Sequence, residues 1–264
     1  MSQVLFGQTL RDKALGATII AILLFIFMVY VCYMYSQVRQ MTGIQDMLNN
    51  PAIQALIGKT ATLATFEGFL TLFSFSYLGL IVGGYISFVT ASFLAGEIEG
   101  KTIDLLLSLP IRREMLVLWR YAVLVPIVIL LMLVVFAAIY IGASAAGLST
   151  DMVWIGYALA YIGLFALAFG AVSLLLSALL SDGRLAALLS LAVLFAMYFA
   201  ETIGETVPSL DPVRRISLFH YVDSQGVIVG HSISAANVLI LIAAMILFLA
   251  LAAFAFRHKD INVT

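Results

Sequence analysis

Gly96-Glu97-Ile98-Glu99-Gly100-Lys101-Thr102-Ile103-Asp104-Leu105-Leu106-Leu107-Ser108-Leu109-Pro110-Ile111-Arg112-Arg113-Glu114 is the stretch on which the organisation of this chain turns. From Glu97 onward it carries seven charges (Glu97, Glu99, Lys101, Asp104, Arg112, Arg113 and Glu114) in a protein whose charged fraction is only 10%. Uncharged runs at 68–96 and 121–150 flank it. It therefore reads as a water-exposed connection between two elements built for lipid.

The rest of the composition agrees. The 264 residues are 64% hydrophobic, with a mean hydropathy of +1.14. Soluble domains run nearer half apolar and about a quarter charged. The chain is expected to be an all-α integral membrane protein, with one membrane domain over 1–264 and no attached soluble one. A net charge of −1 gives no electrostatic reason to expect a nucleic-acid partner. Cys32 is the only cysteine, so an intramolecular disulfide and a Cys-based metal site are both excluded.

The start of the chain is polar up to Lys13 and then runs uncharged to Val38. That run exceeds a signal-peptide core. It ends in Tyr30, Tyr33 and Tyr35, the aromatic belt expected where a helix leaves a bilayer. It reads as a permanent first span.

A hydrocarbon core of about 30 Å needs roughly 20 helical residues. Six spans meet that need, at about 14–38, 68–96, 121–147, 152–181, 184–203 and 234–256. The fifth is short, and Arg184 snorkelling at one end lets it cross. Placing the N-terminus inside puts Arg11, Lys13, Lys101, Arg112, Arg113, Arg120, Arg184, Arg257 and Lys259 in the cytoplasm, against Arg39, Lys59, Arg214 and Arg215 outside. The positive-inside rule favours that arrangement. Both termini and the loop 97–120 are thus expected in the cytoplasm, in a multi-pass protein of the plasma membrane contacting its lipids.

Outside, 37–66 has helix-like apolar spacing broken at Pro51, which suits a short helix on the membrane surface. The segment 201–231 is long and contains Pro208 and Pro212. A cysteine at Ser217 is expected to be reachable there from outside the cell.

Small residues line one face of the fourth span, at Gly156, Ala160, Gly163, Ala166, Gly170, Ser173, Ser177 and Ser181. A shorter row, Gly79, Gly83, Ser87, Ala91 and Ala95, marks the second. Such rows let helix backbones approach closely in lipid. Packing within the chain and a dimer or sliding face are both open readings. No charge sits in mid-span, where ion-coupled transporters keep one, so the energy for any transport is expected from elsewhere.

Two near-matches to a phosphate-binding loop fail. Gly58-Lys59-Thr60 has Ile53 where the first glycine belongs, and Gly96 to Gly100-Lys101-Thr102 is one residue too short. This chain is expected to bind no cofactor. The loop instead reads as helix, break, helix. Gly100 permits a turn after Glu97 and Glu99, and 103–109 forms a short apolar helix too brief to cross. Pro110 suits the first turn of the next helix, with Glu114 near its positive end. An apolar helix presented this way fits a groove on a cytoplasmic partner.

Glu-x-Glu, then Thr102-Ile103-Asp104-Leu105-Leu106-Leu107-Ser108-Leu109-Pro110 and Arg113, resembles the first cytoplasmic loop of type-2 ATP-binding-cassette (ABC) transporter permeases. Glu67-Gly68-Phe69-Leu70 is similar to the family's approach to its second span. Ser217-Leu218-Phe219-His220-Tyr221 resembles the stretch before its last span, and Phe256-Arg257-His258-Lys259-Asp260 resembles its tail. Lys101 stands where the family often has glycine, and Leu218 where it has proline.

The resemblance implies a six-span permease working as a pair, each copy bound to a cytoplasmic ABC ATPase that holds ATP and Mg. It implies that 101–108 is the coupling helix, with Glu97, Glu99, Gly100, Pro110 and Arg113 beside it. It also implies short re-entrant helices before the sixth span, with Glu201, Glu205, Phe219, His220 and Tyr221 at the outer gate. Export is the implied direction. An ABC-driven device that matures another protein without moving a solute is an alternative. A membrane-embedded enzyme is another; Glu201 and Glu205 are its only candidate pair, with no His or Arg partner close in sequence.

Overall fold

The computed structural model describes residues 2–40, 65–101 and 112–259. Among these every regular element is helical, and six helices or helix runs are long and apolar enough to cross a membrane: Gly7–Arg39, Phe66–Glu99, Arg113–Ala145, Met152–Leu179, Gly183–Glu205 and Ala235–His258. They are numbered here as the first to sixth spans.

Their starts follow from short polar residues. Thr65 accepts a hydrogen bond from the Gly68 N–H, Asp151 from Val153, Asp182 from Arg184 and Leu185, and Ser234 from Asn237. Each satisfies amides that the first helical turn leaves without a partner.

The third span differs most from its expected bounds. Its helical run opens at Arg113, so 113–120 is helical and leads directly into the expected span; Pro110, expected in the first turn of that helix, lies outside the described residues. Leu116, Val117 and Tyr121 turn inward from this first piece, Arg113–Ala122. A break at Val123 precedes Leu124–Ala145. Pro126 accounts for it, because proline has no N–H for the Ala122 carbonyl and its ring crowds that position.

The second span, expected as one helix, is interrupted twice. A π-helical turn at Thr71–Phe75 separates Phe66–Leu70 from Ser76–Ala91. The helix then stops at Ala91 and resumes as the short helix Ala95–Glu99.

The fourth span is the centre of the bundle. It packs on the second, third, fifth and sixth, and 72% of its most apolar window is buried. The first span lies mainly along the third. The small-residue rows work within the chain. A Cβ on Gly170 would lie 2.9 Å from Leu124 and 3.3 Å from Ile86, and one on Gly83 2.8 Å from Leu194. Gly163, Ala166, Ser173 and Ser177 are buried on the same face, whereas Ala160 and Ser181 are exposed.

Between the fifth and sixth spans lie the short helices Pro208–Leu210, Asp211–Arg214, Leu218–Tyr221 and Ser224–Ile228. Leu218, Val227 and Ile228 anchor them in the core. Ser217 is also buried, at 1% exposure: its hydroxyl caps Phe219 and donates to the Met197 carbonyl. It is therefore not the accessible position expected from the sequence. Ile216, next to it, is 76% exposed.

Candidate functional site

One end of the bundle gathers the charged flanks of the leucine-rich loop. Glu97 turns inward and forms an ion pair with Arg120, both side chains being mostly buried. Arg120 also donates to Thr9 Oγ1 at 2.6 Å. One guanidinium thus joins the first span, the short helix Ala95–Glu99 and the third span.

Glu99 Oε2 accepts from the Gly183 amide at 2.9 Å, tying the same short helix to the start of the fifth span. The two backbones meet closely there, since a Cβ on Gly183 would come 3.0 Å from the Gly96 Cα.

On the far flank, Arg113 donates to the Lys259 carbonyl at 2.9 Å. Lys259 Nζ donates in turn to the Leu180 carbonyl at 2.6 Å, at the end of the fourth span. Burial lowers the Lys259 pKa from its ordinary value. Arg257 and Glu114 form a further, largely exposed pair at 2.9 Å.

The turn out of the short helix falls one residue later than expected. Gly100 keeps a right-handed backbone, its N–H still bonded to the Gly96 carbonyl. Lys101 takes the left-handed conformation, with φ of 54°. That conformation costs a non-glycine residue of order 1 kcal/mol, which gives a physical reason for glycine at the equivalent family position.

The opposite end holds a chamber of about 600 Å3 between the second, fourth and fifth spans and the short helices. Phe75, Phe165, Tyr198 and Phe219 supply aromatic wall; Glu201, Glu205, Arg214 and His220 supply charge. Arg214 donates to Glu201 Oε1 from both Nε and Nη2, at 2.9 and 2.8 Å. His220 Nδ1 lies 3.4 Å from the other carboxylate oxygen. The hydrogen bond that Arg214 donates to Glu201 raises the Arg214 pKa. The π-helical turn Thr71–Phe75 forms part of the wall; such turns let a helix present side chains at otherwise inaccessible angles.

A family model described as ABC-2 family transporter protein matches residues 6–261. The chain belongs to the ABC-2 transporter family. No curated protein matches it. As an ABC-2 permease it is a multi-pass transport subunit of a family that works in general with an ABC ATPase.

The permease places its sequence-predicted residues unevenly. Glu97, Glu99, Gly100, Lys101 and Arg113 lie at one end of the bundle. Thr102, Ile103, Asp104, Leu105, Leu106, Leu107, Ser108 and Pro110 lie outside the described residues. At the other end Glu201, Glu205, Phe219 and His220 line the chamber. Tyr221 stands behind it, its hydroxyl donating to the Arg215 carbonyl at 2.7 Å.

Sequence reasoning missed two partners. Arg214, thirteen residues beyond Glu201, supplies the arginine that inspection of near neighbours did not find. The available signal was Gly204, one turn past Glu201: a Cβ there would lie 2.8 Å from the Arg214 Cβ. Arg120 enters the sequence reading only as one of the cytoplasmic basic residues, and its pairing with Glu97 arises where the second and third spans pack together.

Proposed function

We propose that this ABC-2 permease passes mechanical work from a separate cytoplasmic ATPase, which holds the ATP and Mg, into substrate export. On this reading both termini and the 97–120 end face the cytoplasm, two copies act as a pair, and 101–108 is the coupling helix resting on the ATPase. The chamber lined by Glu201, Glu205, Phe219 and His220 is the outer gate, with Tyr221 bracing the turn beneath it.

The observation that supports this reading is the anchoring of both flanks of the leucine-rich segment. Before it, Glu97 reaches the first and third spans through Arg120, and Glu99 reaches the fifth. After it, Arg113 reaches the sixth through Lys259, whose ammonium holds the end of the fourth. A push on a segment held in this way is delivered to five spans at once. A surface turn with no mechanical role has no need of so many attachments.

Leu106→Asp and Leu107→Asp test the docking. Each would put a charge into the apolar contact and weaken retention of the ATPase during purification at least about tenfold, the equivalent of 1.4 kcal/mol. Co-purification unchanged in both variants overturns the reading.

A further inference from the structure

Where the second span stops at Ala91, three backbone groups on buried residues lose their place in the helical ladder. They are the Ala91 carbonyl and the amides of Leu94 and Ala95; the residues are 2%, 0% and 0% exposed. An unmet backbone group is costly in such surroundings. The hydroxyl of Ser177, on the fourth span, meets all three. It donates to the Ala91 carbonyl at 3.1 Å and accepts from the amides of Ala95 and Leu94 at 3.0 and 3.3 Å. One donor and two acceptor sites are all that a serine hydroxyl has.

Ala95 N–H and Ala91 C=O are the pair that a continuous α-helix would join directly, residue i to i−4. Ser177 Oγ therefore occupies a missing rung. Side chains inserted into the ladder are an established cause of helix kinks. Ser173, one turn along and equally buried, marks the contrast: among the described residues its hydroxyl has no hydrogen-bond partner, whereas that of Ser177 has three. The joint leads directly into the helix that carries Glu97 and Glu99, and a crevice of about 430 Å3, lined by Ala91, Gly96, Glu99 and Gly183 among others, lies beside it.

We infer that Ser177 is a positioning residue for coupling: its hydroxyl holds the second span bent, and its withdrawal lets Ala95 bond Ala91 directly, straightening the span and swinging the Glu97-bearing helix. Both states satisfy the same backbone groups, so the element has two discrete arrangements rather than a continuous range. A load on the leucine-rich segment would then be converted into separation of the second and fourth spans. The inference rests on the coupling reading above for its role, but not for the existence of the two states.

The test uses the full chain in lipid nanodiscs, in a Cys32→Ser background, with spin labels on cysteines replacing Tyr77 and Gly100. A continuous helix holds those positions about 35 Å apart along the backbone, and the joint shortens the distance. Without nucleotide, the otherwise unchanged chain is expected to show the short distance, Ser177→Ala the long one, and Ser173→Ala the short one. Addition of the ATP-loaded partner is expected to populate the long distance in the chain that keeps Ser177. A Ser177→Ala protein that keeps the short distance, with faster hydrogen exchange at Leu94 and Ala95, overturns the inference, because the serine would then only patch a fixed break. Failure of any ATPase to bind the chain that keeps Ser177 would sink the coupling reading instead, leaving the nucleotide-free comparison to decide the two states.

Discussion

Arg214 and Glu201 are joined by two hydrogen bonds of 2.9 and 2.8 Å to a single carboxylate oxygen, and the contact fixes a short helix of the connecting segment against the end of the fifth span. Gly204 makes the approach possible, leaving no side chain between that span and the arginine. Both side chains are about three-quarters or more buried, at 26% and 20% exposure.

Arg214→Met is expected to destabilise the protein by about 2 kcal/mol, the cost of leaving a charged hydrogen-bond partner unmet. That corresponds to a melting temperature lower by roughly 4–8 °C for a chain of this size. The carboxylate raises the Arg214 pKa. Its stabilisation is therefore complete at any pH below the unfolded value and is lost only as pH rises through the folded one, in strong alkali. Thermal melts of the two proteins between pH 6 and 9 are expected to differ by a constant amount from this arginine; a gap that closes across that range would contradict the assignment.

Gly142→Ala tests how closely the first and third spans meet. A methyl at 142 would lie 2.8 Å from the Cys32 Cβ and 3.5 Å from the Val29 Cα, so two helix backbones must separate to admit it. Overpacking of this kind costs about 1–3 kcal/mol. Gly156→Ala is the control, since its new methyl meets only Phe136 at 3.8 Å. Melting in detergent is expected to drop for the first substitution and to hold or rise for the second.

Glu99→Ala removes the carboxylate that holds the Gly183 amide. Asp182 still caps the fifth span through Arg184 and Leu185, so expression is expected to stay near normal. Loss of one such contact costs on the order of 1 kcal/mol. In the reconstituted complex, ATP hydrolysis is expected to continue while transport falls several-fold. Equal losses of both activities, or a simple failure to express, would count against a coupling role.

Orientation is checked at Ile216, which is exposed where Ser217 is not. With Cys32 replaced by serine, Ile216→Cys is expected to react with a membrane-impermeant maleimide on intact cells. Reaction only after permeabilisation would invert the topology and with it the placement of the leucine-rich loop.

What the sequence by itself determined is the six-span architecture and which loop differs from the rest. Length and apolarity are local properties, and a bilayer allows a lone apolar stretch little choice but a helix. The helix caps at Thr65, Asp151, Asp182 and Ser234 are local as well, because each bonds amides two or three residues away. Lys101 shows where even a local reading slipped, since the amides of Gly100 and Lys101 bond the Gly96 and Ile98 carbonyls, which keeps Gly100 right-handed and moves the left-handed turn to Lys101. Only the tertiary structure decided the partners of Glu97, Glu99, Glu201 and Ser177. Each is met by a residue 13 to 86 positions away, brought there by packing between spans. The broken rung at Ala91 is the plainest case. Nothing in 91–95 forbids a continuous helix, and a hydroxyl on another span stands at the site of the break.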